Sequence, residues 1–178
     1  EIDGVAGSYV STPDSVASSI RQSIVIEVDA AINWNGGAYE GLAAHWGANG
    51  GERGWILYSN PTGTLSLYLS PDGSANYIST SGALGLTDGE RATVKAEYDA
   101  VAQEVTFSVN GVQIGVAVSS GAGSINDTSY AVTVGRAGVN GNPVDGKIYS
   151  ATVTKGPTAE AYARFDGVAG TYVSTPDS

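Results

Sequence analysis

The chain has 178 residues, 42% of them apolar and 15% charged, so it is long enough to bury a sizeable core and is no disordered tail. Its net charge of −10 and pI near 4.2 exclude the clustered Lys and Arg that nucleic acid or anionic lipid would require. With no Cys, it can hold no disulfide, thiolate metal site or thiol nucleophile. No apolar run approaches the ~18 residues of a membrane span. With Glu1 at the start and no Met anywhere, the expectation is a processed or excised segment of a longer polypeptide.

In chain order, residues 3–15 read DGVAGSYVSTPDS, and residues 166–178 read DGVAGTYVSTPDS. Only Ser8 and Thr171 differ, and Ile2 aligns with Phe165, both apolar. The offset is the difference between 166 and 3, which is 163 residues. That period is too long for a solenoid and right for a whole domain. We therefore expect one module over 1–163 and the start of a second tandem copy over 164–178. Alternatively, 164–178 is an exchanged strand that completes a neighbour's sheet.

The next elements are strands. Residues 23–29 alternate, with Ile24, Ile26 and Val28 on one face. Residues 54–58 place Trp55 and Leu57 together. Residues 64–70 turn Leu65, Leu67 and Leu69 inward, with Ser66 and Tyr68 outward. Residues 93–99 set Val94, Ala96 and Tyr98 against Lys95, Glu97 and Asp99. Val105, Phe107 and Val109 lead to Asn110-Gly111, two residues that tolerate the positive φ of a type I′ turn, and Val112, Ile114 and Val116 are expected to return. Two further strands follow at 130–135 and 147–154. Gly-rich turns separate these segments and no window has a helical period, which gives an all-β, antiparallel sandwich.

Between the strands, residues 33–55 gather Trp34, Tyr39, His45, Trp46 and Trp55 among Asn33, Asn35, Asn49 and several glycines. Aromatic faces stack on sugar CH groups while amides bond the hydroxyls, so Trp34, Tyr39, His45 and Trp46 form the expected sugar surface. The competing reading is that the tryptophans cap the core. Trp55, in an alternating strand, is expected there. His45 is the only histidine, which excludes a Cys/His zinc site. It leaves a Ser-His-Asp triad formally open, with no nucleophile-elbow motif in support. Asn126-Asp127-Thr128 fits a glycosylation acceptor, which we read as accidental.

Three stretches carry a family resemblance. Phe165 to Ser178 resembles the first strand of laminin-G-like, concanavalin-A-like jelly-roll domains. Phe107 to Gly115 is similar to their central hairpin, and Asp145 to Val153 to their last strand, which lies beside the first. The resemblance covers nearly the whole chain and implies a jelly roll. Tyr9 to Ser15, Arg53 to Leu57 and Thr62 to Leu67 further resemble jelly-roll domains in virion proteins of actinobacterial phages, chiefly minor tail proteins. That implies a non-enzymatic structural or adhesion module on a phage tail or capsid surface. Its partners would be other virion proteins, copies of itself and cell-surface glycan, with no nucleic acid and no membrane insertion. An extracellular bacterial adhesin, or a carbohydrate-binding module of a repeat protein, is the alternative.

The resemblance also raises two chemistries. Laminarinase-type glucanases of similar fold use E-x-D-x-x-E on one strand. Glu1-Ile2-Asp3 begins that pattern, but Val5 and Ala6 stand around its third position, and Arg164 replaces Glu1 in the second copy. We therefore expect no hydrolase. Laminin-G-like domains also carry calcium at the sheet rim, held by Asp, Asn and carbonyl oxygens. Asp3 and Asp145 are the chosen candidates, among Asp72, Asn126, Asp127 and Asn142. Ordinary Asx turns are the competing explanation.

Overall fold

The computed structural model describes residues 8–15, 18–138 and 141–156, together with the backbone of 161–165. Among the described residues there are thirteen strands: β1 (Val10–Thr12), β2 (Ile24–Ile32), β3 (Glu40–Trp46), β4 (Arg53–Asn60), β5 (Thr64–Leu69), β6 (Tyr77–Thr80), β7 (Arg91–Asp99), β8 (Glu104–Val109), β9 (Val112–Gln113), β10 (Val118–Ser119), β11 (Val132–Val134), β12 (Gly146–Thr154) and β13 (Ala161–Phe165). They form two antiparallel sheets. One runs β1-β11-β3-β4-β5-β6. The other runs β10-β8-β7-β2-β12-β13, with β9 on β8. This is the expected antiparallel jelly-roll sandwich. No helix among the described residues is long and apolar enough to cross a membrane.

Period-two patterning builds the core. On β2, Ile24, Ile26, Val28, Ala30 and Ile32 are buried, and the register sets Ile24 opposite Tyr98, Ile26 opposite Ala96 and Val28 opposite Val94. The other sheet contributes Trp55, Leu57, Leu65, Leu67 and Leu69. Inward side chains from both sheets join in one cluster, as a sandwich of alternating strands requires. The expected faces of the strands at 54–58, 64–70 and 93–99 are those observed.

Asn110 and Gly111 have φ of 50° and 79°, the positive values of a type I′ turn. The returning strand is shorter than expected. β9 spans only Val112–Gln113, and Ile114 adds one bond, to the Phe107 carbonyl. Gly115 then turns the chain with φ 70°, leaving Val112 and Val116 exposed. Four strands, β3, β6, β10 and β13, were not expected from sequence. β3 is almost wholly buried, so it lacks alternation, and β6 is a four-residue edge. At the far end, β13 crosses position 163, pairing Arg164 with Thr152 and Phe165 with Ala151.

Candidate functional site

The outer faces of the two sheets differ in chemistry. On the β4-β5-β6 side, cross-strand pairing lines up Thr133, Ala44, Ile56, Tyr68 and Ile78 as one row. The next row pairs Tyr58 with Ser66 and Ser66 with Thr80. Ala44, Ile56 and Ala137 form a small buried cluster here, with Trp46, Tyr58 and Tyr68 packed on it. Tyr39, 47% exposed, meets Tyr58 edge-on at 5.9 Å between ring centroids, and Tyr58 meets Tyr68 at 5.2 Å. Each such pair contributes about 0.5–1.5 kcal/mol beyond burial and fixes the tilt of the rings. Ile78, 50% exposed, extends the apolar strip to the sheet edge.

A hydroxyl and amide ladder runs beside the rings. Asn60 Nδ2 donates to Thr64 Oγ1 and Ser66 Oγ, each at 2.8 Å, and Ser66 Oγ lies 2.8 Å from Thr80 Oγ1. Asn60 Oδ1 is buried and has no hydrogen-bond partner among the described residues. Burial, with Tyr68 nearby, pushes the Tyr58 phenol up to about 12, and burial also raises Tyr68. Both phenols stay protonated at neutral pH and keep an O–H donor. Among the described residues of β4, β5 and β6, no Asp, Glu or Lys occurs, and the one Arg, Arg53, stands at the start of β4.

The four expected sugar-surface residues divide. Tyr39 and Trp46 border this strip, Trp46 being half-buried with the Arg53 guanidinium 5.7 Å from its ring centroid. Trp34 is fully buried, and its Nε1–H donates to the Glu90 carbonyl at 2.7 Å. It is a core residue, because this carbonyl satisfies the indole without water. His45 is also buried, edge-on to Trp55, with Nε2 2.7 Å from the Tyr130 carbonyl and 3.6 Å from Asp14 Oδ1. Burial lowers its pKa, so the ring is neutral and Nε2–H donates to Tyr130. Neither Trp34 nor His45 presents a face to a ligand. No serine hydroxyl hydrogen-bonds to His45 among the described residues.

The acidic candidates lie elsewhere. Asp3 falls outside the described residues. Asp145 is exposed at the head of β12, and its N–H donates to Glu40 Oε2 at 3.1 Å. Glu40 is buried, and desolvation raises its carboxyl to about 7, with Asp145 and Asp88 adding to the rise. Among the described residues no three His, Cys, Asp or Glu side chains are grouped to hold a metal ion. Asp72 caps its own turn by accepting from Ser74 and Ala75 N–H, as an Asx turn does. Asp127 accepts from Arg21 Nη2 and Ser19 Oγ, and Asn126 Nδ2 donates to the Gly51 and Arg53 carbonyls.

Tyr58, Tyr68, Asn60 and Ile78 were not singled out from sequence. The available signal was Tyr68, an outward tyrosine on a leucine-rich strand.

No protein-family model matches the chain, and no curated protein matches it in sequence. Solved structures do resemble it. The CBM40 of the Ruminococcus gnavus IT-sialidase, bound to α2,6 sialyllactose, superposes with TM-score 0.57 at 21% identity, covering 82% of each chain. Mouse laminin α1 LG4-5 gives 0.62 at 16% identity, over 99% of this chain and 46% of that one. A heptameric SAP-like pentraxin from Limulus polyphemus gives 0.55 at 14%, over 84% and 69%. At these identities the likeness is one of fold, and the fold is that of laminin G domains, CBM40 and pentraxins.

Proposed function

We propose that the chain is a non-catalytic carbohydrate-binding and adhesion module whose glycan lies across Tyr39, Tyr58 and Tyr68 on the outer face of the six-stranded sheet. The observation that carries this reading is an uncharged aromatic strip flanked by the Asn60–Thr64–Ser66–Thr80 ladder. Rings supply stacking area and the ladder supplies directional bonds, which is how sugar sites combine affinity with orientation. The module is acidic and the strip itself bears no cation, so a neutral saccharide fits better than a sialylated one. The fold it shares with a sialyllactose-bound CBM40 is support by analogy, since sites are grafted on folds independently.

We place the module, on its phage-type motifs, in a tail or capsid-surface protein of a virion, repeated in series from position 164. Repetition converts weak single-site contacts into avidity. Its protein partners would then be other virion proteins or neighbouring copies.

The test is an array of neutral and sialylated oligosaccharides probed with the purified chain and with Tyr68→Ala and Tyr39→Ala. Binding to neutral glycans should fall at least about tenfold in each variant, about 1.4 kcal/mol. Equal binding by wild type and both variants would sink the assignment of this face.

A further inference from the structure

An Asn-Gly pair is a position at which a chain readily attacks its own side chain, because glycine leaves the attacking nitrogen uncrowded. The chain has four such pairs, at 35–36, 49–50, 110–111 and 140–141. Asn140 lies outside the described residues. The other three pairs occupy three connections, β2 to β3, β3 to β4 and β8 to β9, and the fold treats them unequally.

Two of them are held shut. Between β2 and β3, Asn35 Nδ2 donates to the Leu86 carbonyl and to Asp88 Oδ1, each at 3.1 Å. The Gly36 N–H donates to the Asn33 carbonyl at 3.1 Å, so the carboxamide and the attacking nitrogen are both engaged. Between β8 and β9, Asn110 Oδ1 accepts from the Thr93 N–H at 2.9 Å, and the Asn110 N–H donates to the Thr93 carbonyl at 2.7 Å. These bonds pin the carboxamide to β7, and bringing its carbon onto the Gly111 nitrogen means breaking the one to Oδ1. The pair between β3 and β4 is open. Asn49 and Gly50 are both exposed. Among the described residues, neither the Asn49 carboxamide nor the Gly50 N–H has a hydrogen-bond partner. Only the Asn49 carbonyl is engaged, accepting from the Glu52 N–H at 3.3 Å. A Cβ placed on Gly50 would meet Ser74 Oγ alone, at 3.5 Å, so the approach to the Gly50 nitrogen is uncrowded.

We propose that Asn49 is a site of spontaneous, backbone-mediated deamidation, and that in the folded chain it converts ahead of Asn35 and Asn110. The Gly50 amide nitrogen gives up its proton to solvent base and attacks Asn49 Cγ. The N–Cγ bond forms, the Cγ–Nδ2 bond breaks, and Nδ2 leaves as ammonia after taking a proton from water. Water then opens the cyclic imide at either carbonyl, giving aspartate or isoaspartate. No oxidant, metal or second protein takes part. The product adds one negative charge to a chain whose net charge is already −10. In the isoaspartate form the main chain also gains one carbon, immediately before Gly50 and Gly51. The Gly51 N–H donates to the Gly73 carbonyl at 2.9 Å, and the Gly51 carbonyl accepts from Asn126 Nδ2 at 3.2 Å. The lengthening therefore falls in the loop that ties these two segments together. None of this depends on what the outer face binds.

The test is to incubate the purified full chain in mildly alkaline buffer made with heavy-oxygen water and to follow it by peptide mapping. Acid should replace amide at Asn49 before it does so at Asn35 or Asn110, with heavy oxygen incorporated and isoaspartate among the products. In the chain unfolded by urea the lead of Asn49 should disappear, because the bonds that protect the other two pairs are gone. Gly50 has no positive φ and room for a Cβ, so Gly50→Ala should fold as the wild type does. It should slow conversion at Asn49 at least about tenfold by crowding the attacking nitrogen. An Asn49 that stays intact, or that converts no sooner than Asn35 or Asn110 in the folded chain, overturns the proposal. So does a lead that persists unchanged in urea, or a Gly50→Ala chain that converts at the wild-type rate.

Discussion

The two outer faces of this sandwich are made by the same strand geometry and carry opposite chemistry. Across β2 and β7 the outward rows hold Glu27 opposite Lys95 and Val25 opposite Glu97. Arg91 Nη2 pairs with Asp29 Oδ2 at 2.7 Å and its guanidinium covers the Tyr149 ring at 4.0 Å, while Lys95 meets Glu97 at 3.3 Å. These charges are interspersed and locally paired, which is what keeps a surface solvated and unattached. Across β4, β5 and β6 the corresponding rows hold Ile56, Tyr58, Ser66, Tyr68, Ile78 and Thr80. Solubility alone does not call for stacked tyrosines on an outer face. The contrast therefore supports the proposed binding face.

Adjacent positions on β5 give the sharpest cut through this contrast. Leu67 points into the core and is fully buried, and Leu67→Ala should cost about 2–5 kcal/mol in chemical denaturation, through lost burial and a cavity. It should leave glycan affinity nearly intact in the fraction that stays folded.

The next largest effect comes from the buried carboxylate at the start of β3. Glu40 holds its proton to about pH 7 in the folded chain and loses it near 4.5 when unfolded. The native state binds more protons through that window, so Glu40's contribution to stability declines as pH rises from about 4.5 to about 7. Glu40→Gln keeps an acceptor for the Asp145 N–H and removes the charge. We expect it to stabilise the protein by about 1–3 kcal/mol at pH 8 and to have little effect at pH 4. An equal effect at both pH values would show that charge burial is not the cause.

Tyr68→Ala comes third in stability, at about 1 kcal/mol, because its ring is only partly buried and loses one aromatic partner. Its effect on glycan binding should far exceed its effect on unfolding. If stability and binding fall in proportion, the face is structural and the contrast between the sheets loses its meaning. Smallest of all is Lys95→Ala on the charged face. A partly exposed pair of this kind contributes under about 1 kcal/mol, and that loss should shrink further in high salt with no change in binding.

Much of the fold was legible because most strands are half-buried. Ile24 to Val28, Thr64 to Leu69 and Thr93 to Tyr98 alternate, and alternation reports which face is covered. The strands that stayed hidden are those where the code fails. Glu40 to Trp46 is covered on both faces, so its Gly-Leu-Ala-Ala-His run has no period, and His45 within it was grouped with Trp34 as part of a sugar surface. Tyr77 to Thr80 is an edge with little to pack against. The site was half legible. Tyr39 and Trp46 belong to its border, and the tyrosines between them lie on different strands, so only the register of β4 on β5 brings them together. Trp34 and His45 misled because carbonyls of distant segments, at Glu90 and Tyr130, satisfy their N–H groups inside the protein.

The brevity of the outermost strands has one more consequence. β1 has three residues, β6 four, β10 two and β13 five. Each therefore offers only a few open peptide groups, too short a template for another chain to grow a continuous sheet upon. Copies of such a module can be crowded at high local density without fusing into fibrils, and an aromatic face can stay uncovered in that crowd.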